Sequence, residues 1–174
     1  LDQGGDSMRS APSIFLLAAS TLLSPAWVYA QSSQPPDLQK LIDTGHCKGC
    51  DLTGADLSGM RLMSADLSGA NLRGARLRKT ILFRADLSSA DLRDAKVEKA
   101  SLGRIDLSNA NLSGLDLQGA RLAHANLASS RLENANLSGA MLEHADMRGA
   151  NLTDANLTKA ALRNSRLDDA VFAK

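Results

Sequence analysis

Residues 55–74 read Ala-Asp-Leu-Ser-Gly, Met-Arg-Leu-Met-Ser, Ala-Asp-Leu-Ser-Gly, Ala-Asn-Leu-Arg-Gly. These are four blocks of five, each centred on Leu. From Cys50 to Lys174 the chain divides into 25 such blocks without insertion or deletion. The central position is Leu in 22 of them, the exceptions being Val97, Met147 and Phe172. The first position is Ala in 18, with Cys50, Met60, Thr80, Ile105, Leu115, Ser130 and Ser165 in the rest. A period of five matches neither the 3.6 of a helix nor the 2 of a strand. It suits a coil that turns a corner every five residues, with the large Leu filling the interior and the small Ala sitting where the wall closes in. Asp or Asn at the second position can hydrogen-bond local backbone at a turn. Gly stands at the fifth position in eight blocks, where a corner calls for unusual dihedrals.

The pattern A-(D/N)-L-x-x over residues 50–174 closely resembles the pentapeptide-repeat family. The resemblance implies an all-β solenoid: a right-handed quadrilateral β-helix with four blocks per coil and about six coils. Stacked at the inter-strand spacing of roughly 4.8 Å, the coils form a rod about 30 Å long. Such a solenoid gains stability from nearest-neighbour stacking, and its ends need covering. Only Val171-Phe172-Ala173-Lys174 closes the C-terminal coil, and an uncovered edge invites pairing. A homodimer through that coil is therefore expected.

The segments before the repeats read differently. Met8 and Arg9 precede an apolar run from Ile14 to Leu23, broken by Ser24 and Pro25 and followed by Val28-Tyr29-Ala30. This is the pattern of a secretory signal peptide cut after Ala30. It makes Met8 the expected start, residues 1–7 an extension, and the compartment the periplasm or the cell exterior (the thylakoid lumen in a cyanobacterium). Residues 31–36 read as a linker. Within 37–49, Asp37 can cap a helix, Leu38, Leu41 and Ile42 share one face, and Gly45 can end it. This short helix is expected to cover the open N-terminal end of the solenoid.

A length of 174 residues fits one ordinary domain, and a formal net charge of +1 excludes strongly basic and strongly acidic classes. Three of the five aromatics, Phe15, Trp27 and Tyr29, lie in the leader. The repeats retain only Phe83 and Phe172, which weakens stacking on sugars or single-stranded nucleic acid.

With four blocks per coil, residues n and n+20 stack in columns. One face then carries Arg76, Arg78, Lys79, Lys96 and Lys99, relieved only by Glu98. Another carries a ladder of Asp66, Asp86, Asp106 and Asp146 with Asn126 between. A third has Arg61, Ile81, Ser101, Arg121, Met141 and Ala161 at its second positions, none of them Asp or Asn. There Met63, Ile81 and Phe83 form an outward apolar patch. The patch and the basic cluster are the candidate partner-binding residues. Over residues 50–174 the charges nearly balance, so no sign dominates.

Cys47 and Cys50, the only cysteines, both point inward when the register is extended backwards. In an exported protein the pair favours a disulfide, stapling the first coil to the helix. Zinc and redox uses remain as alternatives. His124 and His144 share an outer column near Glu143 and are weak metal candidates, with Arg84 and Arg104 beside them. The motifs Asn111-Leu-Ser, Asn136-Leu-Ser, Asn151-Leu-Thr and Asn156-Leu-Thr match a glycosylation pattern only because the repeat generates it. Phosphate loops, nucleotide fingerprints and nucleophile elbows are absent from the sequence. A Leu-filled rod without insertions offers no dry pocket. The expectation is a non-enzymatic, cofactor-free interaction or scaffold module for a protein partner, without nucleic acid or membrane contact after cleavage. The alternatives are a gyrase-protecting DNA mimic, disfavoured by the leader and the charge, and a metal or redox protein using the cysteines.

Overall fold

The computed structural model describes Pro35 and residues 37–173. The leader and most of the 31–36 linker therefore lie outside the described residues. A single helix, α1 (Asp37–Thr44), precedes the repeats. Its end is as expected: Gly45 has φ 71° and its N–H donates to the Leu41 carbonyl at 2.8 Å. Its start and face differ from expectation. Leu38 and Leu41 are buried, but Ile42 is 53% exposed, because eight residues allow only a narrow apolar stripe. The Asp37 carboxylate does not cap its own helix. Its Oδ2 accepts from the Asp51 N–H at 2.8 Å. That donor stands at the second position of a block, where later blocks donate to the carbonyl one coil back. Asp37 thus supplies the acceptor that a preceding coil would have offered.

After α1 the wall is built from isolated parallel bridges at a constant separation of twenty, from Asp51–Asn71 to Asn151–Val171. Four blocks make one turn of the coil. Within a typical block each N–H has a defined acceptor. The first-position N–H turns the corner onto the carbonyl three residues back, as Ala55 does to Leu52 at 3.0 Å. The second-position N–H reaches the previous coil, as Asn71 does to Cys50. The third- and fifth-position N–H groups reach the next coil, as Leu52 does to Asn71 and Gly54 to Arg73. The fourth-position N–H is taken by the Asp or Asn side chain two residues back, as Ser58 is by Asp56 Oδ1 at 3.1 Å. The acidic ladder Asp66, Asp86, Asp106 and Asp146 makes this bond to Ser68, Ser88, Ser108 and Arg148.

The fifth position is left-handed in every described block. All eight Gly there have positive φ, and so do sixteen other residues, from Ser64 to Asp169, at φ 56–63°. The corner geometry is set by the coil, and Gly is only its easiest occupant.

The interior holds the first and central positions. Leu52, Leu57, Leu67, Leu72 and Leu77 are fully buried, as are Ala55, Ala70 and Ala75. Two first-position hydroxyls are buried with their hydrogen bonds made: Thr80 Oγ1 to the Leu57 carbonyl at 2.8 Å and Ser130 Oγ to that of Leu127 at 2.7 Å. Among the described residues no buried side-chain polar atom lacks a partner.

Candidate functional site

Because the interior is filled, chemistry is available only on the outside. The columns give four faces, numbered here by their first blocks at Cys50, Ala55, Met60 and Ala65. The bridges confirm the third-face column Arg61, Ile81, Ser101, Arg121, Met141, Ala161 and the fourth-face Asp ladder.

Charge separates by face, although over the repeats as a whole no sign dominates. Faces two and three carry Arg61, Arg76, Arg78, Lys79, Arg84, Lys96, Lys99, Arg104, Arg121, Lys159 and Arg163 against only Asp56, Glu98, Asp116 and Glu143. Most acids lie on faces one and four. The near-neutral total hides this because the two halves cancel.

Face two brings together the basic cluster predicted from sequence, but Glu98 is not its only counter-charge. Arg76 Nη2 lies 3.3 Å from Asp56 Oδ2, and Arg78 Nε 3.9 Å from Glu98 Oε2. A second feature was not foreseen. Every rung from Asp51 to Val171 is bridged except Lys96–Asp116. At this gap a cavity of about 550 Å³ opens between the coils, lined in part by Val97, Lys99, Ser101, Asp116, Gln118 and Arg121. Leu115 replaces the small first-position Ala immediately before the gap, is buried, and faces Val97's block one coil back. Overfilling a corner displaces backbone, and Leu115 stands beside the missing rung.

Face three departs from the hydrogen-bond scheme in every block. With no Asp or Asn at its second positions, the N–H groups of Met63, Phe83, Gly103, Ala123, Glu143 and Arg163 have no acceptor among the described residues. The apolar patch is there as expected, with Met63 52% and Phe83 36% exposed, while Ile81 is half-buried. The Phe83 ring packs beside Gly103: its Cδ2 is 3.4 Å from where a Cβ would stand. Arg84 sits over the same ring, with Cζ 5.5 Å from its centroid. The face's five arginines, Arg61, Arg84, Arg104, Arg121 and Arg163, make no ion pair among the described residues. Each of the other seven described arginines does, for example Arg93 with Asp91 and Arg148 with Asp146.

His124 and His144 stack as expected, with ring centroids 4.8 Å apart and planes at 6°. Among the described residues no three His, Cys, Asp or Glu cluster to hold a metal ion. Cys47 and Cys50 are both buried and stand in disulfide geometry, with S–S 2.00 Å and Cα–Cα 5.3 Å. The link does not staple the helix to the coil, because both cysteines belong to the coil. Contact with α1 is non-covalent: Cys47 Sγ lies 3.4 Å from the Asp37 carbonyl oxygen.

Asp51, Asp56, Asp66, Asp91 and Asp146, each an acceptor at its own turn, are held below the usual carboxylate range. For Asp51, Asp56 and Asp66 the first cause is the side-chain hydrogen bond from Thr53, Ser58 and Ser68 respectively. For Asp91 and Asp146 it is the bond from Arg93 and Arg148. Burial pushes Glu133 up, but its own N–H, Ser113 and Arg131 together bring it down.

The repeat pattern described as pentapeptide repeats matches residues 46–82, 85–122, 116–154 and 150–174, in eight copies. Three solved structures illustrate the likeness. HetL, a pentapeptide repeat protein involved in heterocyst differentiation regulation in a Nostoc cyanobacterium, is 34% identical over 73% of this chain, with a TM-score of 0.31. This chain spans 61% of the length of HetL. Rfr23 from Cyanothece is 30% identical, over 78% of this chain and 97% of its own, with a TM-score of 0.35. A pentapeptide repeat protein from the Arabidopsis thaliana thylakoid lumen is 33% identical, over 71% of this chain and 72% of its own, with a TM-score of 0.27. The superpositions are loose, so the family rests on the repeat pattern. No curated protein sequence matches the chain.

Proposed function

Since this chain belongs to the pentapeptide-repeat family, whose members form right-handed quadrilateral β-helices and are generally non-enzymatic structural or interaction modules, we propose that it is an exported protein–protein interaction or scaffold module. The observation that carries this reading is the filled interior. From Leu52 to Leu152 nearly every inward Leu and Ala is buried, and 25 blocks proceed without an inserted loop. What such a rod offers is its faces, held at fixed spacing.

In this reading the solenoid has about six coils. Helix α1 is its N-terminal cap, supported by the buried Leu38 and Leu41 and by the bond from Asp51 to Asp37. The Cys47–Cys50 disulfide is a small local staple suited to an oxidising compartment. Export to the periplasm or exterior is supported by the leader sequence, and a family relative resides in a thylakoid lumen. Among the described residues no helix is long and apolar enough to cross a membrane. Pairing through the last coil is supported by Val171 and Phe172, each about half exposed.

A crosslinking pull-down from the exported fraction, with residues 31–174 as bait, tests the proposal. A Met63→Ser/Ile81→Ser/Phe83→Ser variant runs beside it. A specific partner lost in the variant supports the interaction reading and places its site on face three. Recovery of this protein alone overturns the partner reading in favour of a self-assembling rod.

A further inference from the structure

We propose that face three is a docking strip for an extended acidic polypeptide segment that also carries apolar side chains. The inference rests on the interaction reading above and names the chemistry of the partner.

Two independent observations point to an anionic ligand. Five arginines on this face have no carboxylate partner, while every other described arginine has one. Guanidinium forks pair with carboxylates through two parallel hydrogen bonds. Beside them runs a row of backbone donors, the N–H groups of Met63, Phe83, Gly103, Ala123, Glu143 and Arg163, which in blocks with Asp or Asn at the second position are taken by that side chain. The face lacks both its own acids and its own turn acceptors, retaining only Glu143. A carboxylate from outside would meet cations and amide donors together.

The apolar groups select polypeptide over other anions. Met63, Phe83 and Met141 are 52%, 36% and 37% exposed and share the face with the arginines. A phosphate backbone would leave them uncovered. Phe83, the largest of them, packs against Gly103 rather than projecting toward a bilayer. An extended chain that carries acidic and apolar residues in alternating pairs turns both kinds toward the strip, because successive side chains point to opposite sides. Six coils at about 4.8 Å place the first and last rungs about 24 Å apart, the length of about seven extended residues. A second copy of this protein would bring its fourth-face Asp ladder. Those carboxylates already close turns, and Asp146 already pairs with Arg148.

The test uses the full chain and a fluorescent peptide of about ten residues built from alternating Glu-Glu and Leu-Leu pairs, sized to the strip. Binding is followed by anisotropy at low salt and at about 0.3 M salt, where exposed charges are screened. A strip variant, Arg61→Gln/Arg84→Gln/Arg104→Gln/Arg121→Gln, is compared with a control of equal charge change, Arg73→Gln/Arg93→Gln/Arg131→Gln/Arg148→Gln. Melting curves confirm that both fold. The expected result is saturable binding weakened about tenfold or more in the strip variant and little changed in the control. Phe83→Ser should weaken the binding that survives high salt. Equal loss in both variants, or no peptide binding, overturns the proposal. So does binding to phosphatidylglycerol vesicles or single-stranded DNA without peptide binding. If the pull-down recovers a partner that the strip variant keeps, the strip proposal fails while the interaction reading stands. If the strip binds peptide but the pull-down finds no partner, only the broader reading fails.

Discussion

Gly114→Ala isolates the cost of the corner geometry. Gly114 has φ 70°, and a Cβ built there meets nothing within 4 Å. Steric collision is therefore absent, and only the backbone conformation is at issue. A left-handed dihedral costs an L-residue with a side chain roughly 1–2 kcal/mol. Replacing Gly also restricts the unfolded chain, which returns roughly 0.4–1 kcal/mol. The expected net destabilisation is about 1 kcal/mol, or a fall in Tm of about 4 °C for a unit of this size. The converse change, Arg104→Gly, removes a side chain with no ion pair from φ 57° and should stabilise by about 0.5–1 kcal/mol. Asn109→Gly at φ 59° should gain less, because Asn tolerates this region. Urea and thermal denaturation followed by circular dichroism read all three. A neutral or stabilising Gly114→Ala with an unchanged denaturant slope would refute the claim that the fifth position is held left-handed by the coil.

Three further outcomes follow from the turns and the core. Asp86→Ala removes the acceptor for Ser88 N–H, held at 2.8 Å, and should cost about 1 kcal/mol, while Asp86→Asn keeps an Oδ1 acceptor and should cost much less; chemical denaturation distinguishes them. Stability should fall in acid, because Asp51, Asp56, Asp66, Asp91, Asp146 and Glu133 are all lowered in the folded state. Their contribution is complete above the unfolded pKa near 4 and is lost as pH drops through the lower folded values, so melting between pH 6 and about pH 2 should show progressive loss. Leu115→Ala with Val97→Leu restores the regular corner, and hydrogen exchange should then protect the amides of Val97 and Asp116; unchanged exchange would separate the missing rung from Leu115.

The repeat made much of the fold legible. Leu at 57, 67 and 77 and Ala at 55 and 75 sit inside as the period requires, and the columns at separation twenty are those the bridges make. Helix α1 was legible in position but not in detail: Ile42 belongs to the helical stripe yet faces out, and Asp37 serves the first coil. Periodicity specifies which residues align, not which neighbour competes for a carboxylate. The same gap explains face three. Its departure from Asp and Asn was visible, and so were Met63, Ile81 and Phe83. That Arg61, Arg104, Arg121 and Arg163 lack partners emerges only when the acids around each column are placed. The open rung at Lys96 and Asp116 depends on whether Leu115 fits its corner, a packing outcome that no pattern encodes.

Every site assigned here depends on outer side chains twenty residues apart standing in one column. Replacing Ser88 and Ser108 by Cys tests this directly. Adjacent strands at about 4.8 Å place Cα atoms within disulfide range. Mild oxidation followed by peptide mapping should show rapid and complete 88–108 crosslinking within one molecule. A Ser88→Cys/Ser113→Cys pair, offset by one further block onto another face, should remain reduced. Crosslinking of 88 to 113 in preference to 108 would contradict the four-block coil and the faces built on it.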